Sequence, residues 1–231
     1  MSEIICVRHG QASFGQANYD NLSELGKTQC SLLGSYFKNT GYLPDVIYSG
    51  NLNRHRQTTY EICNQIGFGI PCHEMISLNE HLGPSVVAET WSHYVETKLP
   101  LKKWLYEVEQ ETVARKAQYM SLYETITLAW AKGEIKSSLQ NWEVYVENVK
   151  NAYVEIQNNH EGQQVLIVTS GGPKSIMAGL SLNLSHQYMM PLTWEVFNSS
   201  FASFELNQEK LVLRTFNETP HLLDSKLKTL V

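Results

Sequence analysis

A doubly wound, mostly parallel α/β sheet flanked by helices is the fold this 231-residue sequence predicts. Three observations carry the prediction. Short apolar runs alternate with helical patterns, as they do where helices connect parallel strands. Three of those runs stop at polar clusters able to do chemistry: Arg8-His9-Gly10, Ser49 leading to Arg54, and Ser170-Gly171-Gly172. Sheets of this kind bind ligands beyond the carboxyl ends of their strands, so three such endings together are informative. The length, finally, suffices for one large domain with a full hydrophobic core.

The elements follow in order. Ile4-Ile5-Cys6-Val7 is apolar on both alternating faces and reads as a fully buried first strand. Ser23 can cap a helix whose apolar stripe includes Leu25, Leu32, Leu33, Tyr36 and Phe37, and Gly41 and Pro44 close that unit. Val46-Ile47-Tyr48 is the second strand, followed by a helix from about Asn53 to Ile66. Val165-Leu166-Ile167-Val168-Thr169 is the clearest strand, and a helix is expected after Pro173, since proline suits a first helical turn. Phe201–Leu206 and Leu211–Phe216 read as a late hairpin turning at Asn207-Gln208-Glu209-Lys210.

The middle differs. From about 84 to 160 the pattern is helical and rich in large aromatics: Trp91, Tyr94, Trp104, Tyr106, Tyr119, Tyr123, Trp130, Trp142 and Tyr145. It is expected to be a helical cap insertion over the strand ends, within a single domain spanning 1–231. Its aromatics are expected to serve as core more than as a ligand cage.

Composition excludes several classes. The chain is 42% hydrophobic and 18% charged, with a net charge of −5, which is not the basic balance of a nucleic-acid binder. No run approaches a membrane span, and Met1–Val7 has neither the basic start nor the length of a secretory signal; a cytoplasmic location is the expectation. Cys6, Cys30, Cys63 and Cys72 form no CxxC pair, and Cys72-His73 lacks partners at zinc spacing, so no metal site is expected. Gly171-Gly172-Pro173-Lys174-Ser175 lacks the spacing of a nucleotide-binding loop, and Pro173 removes a backbone N–H that such loops use.

The polar clusters suit an anion. His9 titrates near neutrality and carries a nucleophilic ring nitrogen. Arg8 beside it offers a fork of donors to phosphate oxygens, and Gly10 allows close backbone approach. Arg54, at the start of the second helix, can enter the cleft beside a helix N-terminus that itself favours anions. Glu80, in Leu78-Asn79-Glu80, can supply the proton that an ester leaving group needs.

Taken together, these blocks resemble the histidine phosphatase superfamily, the phosphoglycerate-mutase-like fold. Arg8-His9-Gly10 after the first strand resembles its defining RHG motif; Ser49-x-x-Leu52-x-Arg54-x-x-Gln57-Thr58 is similar to its second block; Leu78-Asn79-Glu80 is similar to the block that holds its general acid. Asp20-x-Leu22-Ser23-x-x-Gly26-x-x-Gln29 and Phe216-Asn217-Glu218-Thr219-Pro220-His221-Leu222 also agree, in family order from residue 4 to about 222. The resemblance implies that His9 attacks phosphorus and becomes phosphohistidine. Glu80 then protonates the leaving group and later activates water, while Arg8 and Arg54 hold and neutralise the phosphoryl. Ser170, Gly171 and Gln11 are expected to line the pocket, with Ser13 near its mouth, and no metal or other cofactor is needed.

One departure stands out. Where the family has a second histidine after the late strand, Val168-Thr169-Ser170-Gly171-Gly172 has serine, a neutral hydroxyl in place of an imidazole. A water or a packed neighbour would fill the space. His55, His81 and His186 are candidates for a replacement, and each is expected to point elsewhere. The first functional reading is therefore a metal-independent phosphatase acting on a small phosphomonoester or a phosphorylated protein side chain. The alternative is a phosphate-ester-binding protein with weak or no catalysis because of Ser170. A phosphoglycerate mutase ranks last, because Gly83-Pro84-Ser85-Val86-Val87 replaces the stretch such mutases carry. The expected partner is a phosphorylated substrate or inorganic phosphate, with no nucleic acid and no membrane.

Overall fold

The computed structural model describes residues 2–13, 20–98, 113–207 and 210–230; for residues 2, 91–98, 113–119, 206, 207 and 210 it describes the backbone. Among the described residues, six strands form one mixed sheet: β1 Ser2–Arg8, β2 Val46–Ser49, β3 Cys72–Glu74, β4 Gln164–Thr169, β5 Phe201–Asn207 and β6 Lys210–Glu218. Their order is β3-β2-β4-β1-β5-β6. The first four are mutually parallel, and the β5–β6 hairpin adds an antiparallel edge beside β1. Among the described residues, seven helices flank the sheet: α1 Glu24–Thr40, α2 Asn53–Ile66, α3 Gly83–Lys98, α4 Val113–Ala131, α5 Trp142–Asn159, α6 Gly171–Ser181 and α7 His186–Trp194.

Both faces of the central strands are covered, which is why they read as unbroken apolar runs. Side chains alternate across a strand. Ile4, Cys6, Val46, Tyr48, Val165 and Ile167 therefore point to one side, against Trp142, Tyr145 and Val149 of α5 and Ile176 and Met177 of α6. Ile5, Val7, Ile47, Leu166 and Val168 point to the other, against Leu33 and Phe37 of α1 and Ile62 and Cys63 of α2. Ser23 caps α1 by accepting from Gly26 N, and Gly41 ends it at φ 75°. Of the apolar stripe read for α1, Leu33 and Phe37 are fully buried, whereas Leu25, Leu32 and Tyr36 are partly so.

Two elements escape the sequence pattern. β3 is three exposed residues, Cys-His-Glu, with no alternation to see. α7 carries Pro191 inside it and has no clean apolar stripe. α6 starts at Gly171, two residues before Pro173. In the middle region Trp130, Trp142 and Tyr145 are buried in the core. Trp104 and Tyr106, the side chains of Trp91, Tyr94 and Tyr119, and Gln208 and Glu209 of the expected turn lie outside the described residues.

The sheet gathers the chemistry at one end. His9 N donates to Thr169 O at 2.8 Å and Gly50 N to Val168 O at 3.1 Å, so the segments leaving β1, β2 and β4 lie side by side.

Candidate active site

His9 sits at the end of β1, 5% exposed, with both ring nitrogens assigned by their partners. Nδ1 lies 2.7 Å from Gly10 O, which can only accept, so Nδ1 carries the proton. Nε2 lies 3.2 Å from Arg54 Nε, which can only donate, so Nε2 presents its lone pair. Burial holds the imidazole well below its ordinary pKa, and the neighbouring Arg54, Arg8 and His55 push the same way. The result is a neutral ring whose lone pair faces a cation, which is the protonation state a nucleophile needs. Gly10 is required here: a Cβ on it would lie 2.4 Å from Gly26 O and 2.6 Å from Cys30 Sγ, so the N-terminal turn of α1 packs directly on the loop.

Arg54, in the first turn of α2, is held from behind. Its Nη1 meets Asp20 Oδ1 at 2.6 Å, and Asp20 Oδ2 accepts from Asn53 N at 2.8 Å. One carboxylate thus satisfies the start of α2 and fixes the guanidinium so that Nε faces His9. Arg8 Nη1 donates to Val196 O. Its Nε lies 3.8 Å from the point where a Gly171 side chain would begin, and Glu80 Oε2 lies 3.7 Å from that same point. Arg8, Glu80 and the first turn of α6 therefore meet.

Glu80 Oε1 accepts from Gly172 N at 3.0 Å and from His81 N at 3.1 Å, a carboxylate seated on a helix N-terminus. His81 supports it. Gly83 N donates to His81 Nδ1 at 3.0 Å, which places the ring proton on Nε2, 3.6 Å from Glu80 Oε1. Burial lowers the pKa of His81, and the charge of Glu80 opposes that shift. Trp130, Trp142 and Tyr145 each pack on His81 at 5.9 Å between ring centroids, and Tyr145 OH donates to Asn79 O at 2.9 Å.

Ser170 follows β4 and precedes α6. Its Oγ lies 2.7 Å from Nε2 of His55, the residue after Arg54. The His55 ring stands 5.6 Å from that of His9. Burial, and then the charge of Arg54, lower the His55 pKa to about 3.

The structure therefore brings Arg8, His9, Arg54, Glu80, Ser170 and Gly171 to one place. Gln11 is turned toward α1: its Oε1 accepts from Ser23 Oγ at 2.8 Å. Ser13 pairs by its backbone N with Asn21 O at 2.8 Å. His186, at the start of α7, lines a separate hollow with Glu134 and Glu143. His55 and His81 correct the expectation that both point elsewhere, since one meets Ser170 and the other Glu80. Asp20 was legible only as part of a motif, with no role read from it. Lys174 went unread: it is fully buried, with Nζ 2.6 Å from Ser200 Oγ, and burial lowers its pKa to about 7. Ser200 O in turn accepts from Arg8 N at 3.0 Å, so Lys174 braces the strand end that carries Arg8. No group of three His, Cys, Asp or Glu among the described residues is placed to hold a metal ion.

Comparison with known proteins agrees with this fold. The family model described as "Histidine phosphatase superfamily (branch 1)" matches residues 4–107. The Bacillus stearothermophilus YhfR structure is similar over 96% of this chain and 100% of its own, at 16% identity and a TM-score of 0.69. A phosphoserine phosphatase mutant from Entamoeba histolytica, in complex with phosphoserine, covers 96% and 100% at 18% identity and 0.62. A mycobacterial glucosyl-3-phosphoglycerate phosphatase, in complex with inorganic phosphate, covers 95% and 98% at 18% identity and 0.60.

Proposed function

We infer that this chain is a histidine phosphatase, which hydrolyses a phosphomonoester through a phosphohistidine on His9; the family-model match over residues 4–107 supports the reading. The observation that carries this reading is the Nε2 lone pair of His9, fixed by Gly10 O behind it and facing Arg54 Nε. In the first step Nε2 forms a bond to phosphorus as the ester P–O bond breaks. Glu80, in its protonated form, gives its proton to the departing oxygen. In the second step Glu80 takes a proton from water, whose oxygen displaces His9 from phosphorus and releases inorganic phosphate. Arg8 and Arg54 share the charge on the equatorial oxygens, which is where phosphoryl transfer gains most from fixed cations. The cations are side chains, so the reaction runs without a metal.

The ligands of the similar structures, phosphoserine and inorganic phosphate, support a phosphomonoester as the substrate class. We read α3 and α4, within the expected cap region 84–160, as the cap over the site in one domain, and Gly171 as a pocket residue; α5, from the same region, packs on the sheet. No helix among the described residues is long and apolar enough to cross a membrane, and the proposed setting is the cytoplasm. The test is a screen of phosphomonoesters with chelator present, the His9→Ala variant serving as control. Chelator-resistant turnover that disappears in His9→Ala supports the reading. Turnover that vanishes with chelator and returns with a divalent metal overturns it.

A further inference from the structure

We propose that His55 is a positioning residue for this site: its Nε2 orients and polarises the Ser170 hydroxyl as a donor to the phosphoryl group. The proposal deepens the phosphatase reading and rests on it for the identity of the ligand.

The two residues come from different elements, the first turn of α2 and the turn between β4 and α6, yet their side chains meet at 2.7 Å. Both are 0% exposed. Space has been made for the ring. A Cβ on Gly50 would fall 2.1 Å from His55 Nδ1 and 2.6 Å from its Cε1, so any side chain there would expel the imidazole. The pair stands beside the reacting group, with the His55 and His9 ring centroids 5.6 Å apart. It also adjoins α6, whose Gly172 N–H already binds the Glu80 carboxylate.

The direction of the bond decides what the pair can do. If Nε2 accepted the hydroxyl proton, Ser170 would present only lone pairs and would repel a phosphoryl oxygen. If Nε2 carries the proton, it donates to Ser170 Oγ, and the hydroxyl proton is left to point out of the pair. An anion at His9 selects the second arrangement, against the pull of the Gly50 backbone on the ring, because only that one offers the anion a donor. A serine hydroxyl alone rotates among several positions, whereas one already bound through its oxygen does not. A desolvated donor fixed in advance is what stabilises charge developing in a transition state. The chain Nε2–H···Oγ–H···O–P also polarises along its length, since each bond strengthens the next. The imidazole that the sequence lacks at residue 170 is thus supplied from residue 55, one hydroxyl further away.

The test is a double-mutant cycle with two readouts: the Kd of inorganic phosphate by calorimetry, and kcat and KM on 4-nitrophenyl phosphate. The proteins are the parent, His55→Ala, Ser170→Ala, the double variant and His55→Gln. His55→Phe, which keeps the ring volume, replaces His55→Ala if the latter does not fold. Each single loss is expected to raise the phosphate Kd by about tenfold and lower kcat by about 10²-fold. The double variant is expected to be no worse than either single. His55→Gln, whose amide N–H can reach Ser170, is expected to recover most of both. Additive losses, or a His55→Ala that binds phosphate as the parent does, overturn the proposal. The two levels separate cleanly. Coupled phosphate binding without His9-dependent turnover sinks the phosphatase reading and leaves the pair standing. His9-dependent turnover with an inert His55 does the reverse. A folded parent that binds no phosphate overturns both.

Discussion

On one side of the site His9 and Arg54 meet directly, 3.2 Å apart, and each is a residue that the sequence motifs name. On the other side His55 and Ser170 meet at 2.7 Å, and neither is what the motifs call for. The first wall is built by β1 and α2, with Asp20 bracing the arginine. The second is built by β4 and α6, with an imidazole borrowed from α2. Arg54 and His55 are consecutive on one helix, about 100° apart around its axis. A cleft that wraps the N-terminus of α2 by that angle receives both. The difference teaches that the neighbour of a motif residue can face the same site from the same helix.

The largest effect that tests the comparison falls on the first wall. Arg54→Ala is expected to lower kcat/KM by about 10²–10³-fold. Arg54→Lys is expected to recover little, because a single ammonium cannot face His9 through Nε and Asp20 through Nη1 at once. Steady-state kinetics on one good substrate decide it. Full activity in Arg54→Lys would mean that charge alone matters there.

Glu80 comes next. Glu80→Gln is expected to slow alkyl phosphates by about 10²-fold or more and nitrophenyl phosphate far less, since only the poor leaving group needs a proton. Equal losses on both would make Glu80 a structural tie of α6, through Gly172 N, and not an acid.

The second wall gives a smaller effect. Inserting histidine at residue 170 alone puts a ring where His55 already lies, so Ser170→His is expected to lose activity by overpacking. Combined with His55→Ala it is expected to regain roughly tenfold over Ser170→His, because the space and the donor are both restored. If Ser170→His alone exceeds the parent, the two walls are not organised as described.

The smallest effect is on stability. His55 has a folded pKa of about 3 against an ordinary 6.5, and His9 and His81 are lowered too. Below pH 6.5 the unfolded chain binds protons that these buried rings refuse, so folding weakens as pH falls toward 3. Stability is fully present above pH 6.5. For His55 the slope is expected to reach about 1.4 kcal/mol per pH unit. Urea midpoints at pH 7, 6 and 5 measure it, and His55→Gln should flatten the slope. An unchanged slope in His55→Gln would mean that its ring is not buried in neutral form.

Much of the fold was legible because the parallel strands are apolar on both faces and the first helix carries plain caps. Ser23 and Gly41 mark α1, and α2 runs from Asn53 to Ile66, as its residues suggest. β3 and α7 were not legible, since one is too short to alternate and the other has no apolar stripe. In the site, Arg8, His9 and Arg54 were readable as candidates because of residue type and place after a strand, and Glu80 only within its Leu78-Asn79-Glu80 block. His55 and His81 were readable as residues but not as partners. Whether a neighbour of a motif residue points inward depends on how far the cleft wraps its element, which no spacing rule records. Asp20 was visible in its motif, but its bond to Arg54 spans 34 positions and is made only by the fold.

The central claim is that His9 carries the phosphoryl group. It is tested most directly by quenching the enzyme with a 32P-labelled phosphomonoester in the presence of chelator, in the parent, Glu80→Gln and His9→Ala proteins. The expected result is an acid-labile, base-stable label on His9, enriched in Glu80→Gln, where water is activated poorly, and absent from His9→Ala. A label that persists in His9→Ala, or turnover by the parent with no phosphoenzyme formed at any quench time, would contradict the account.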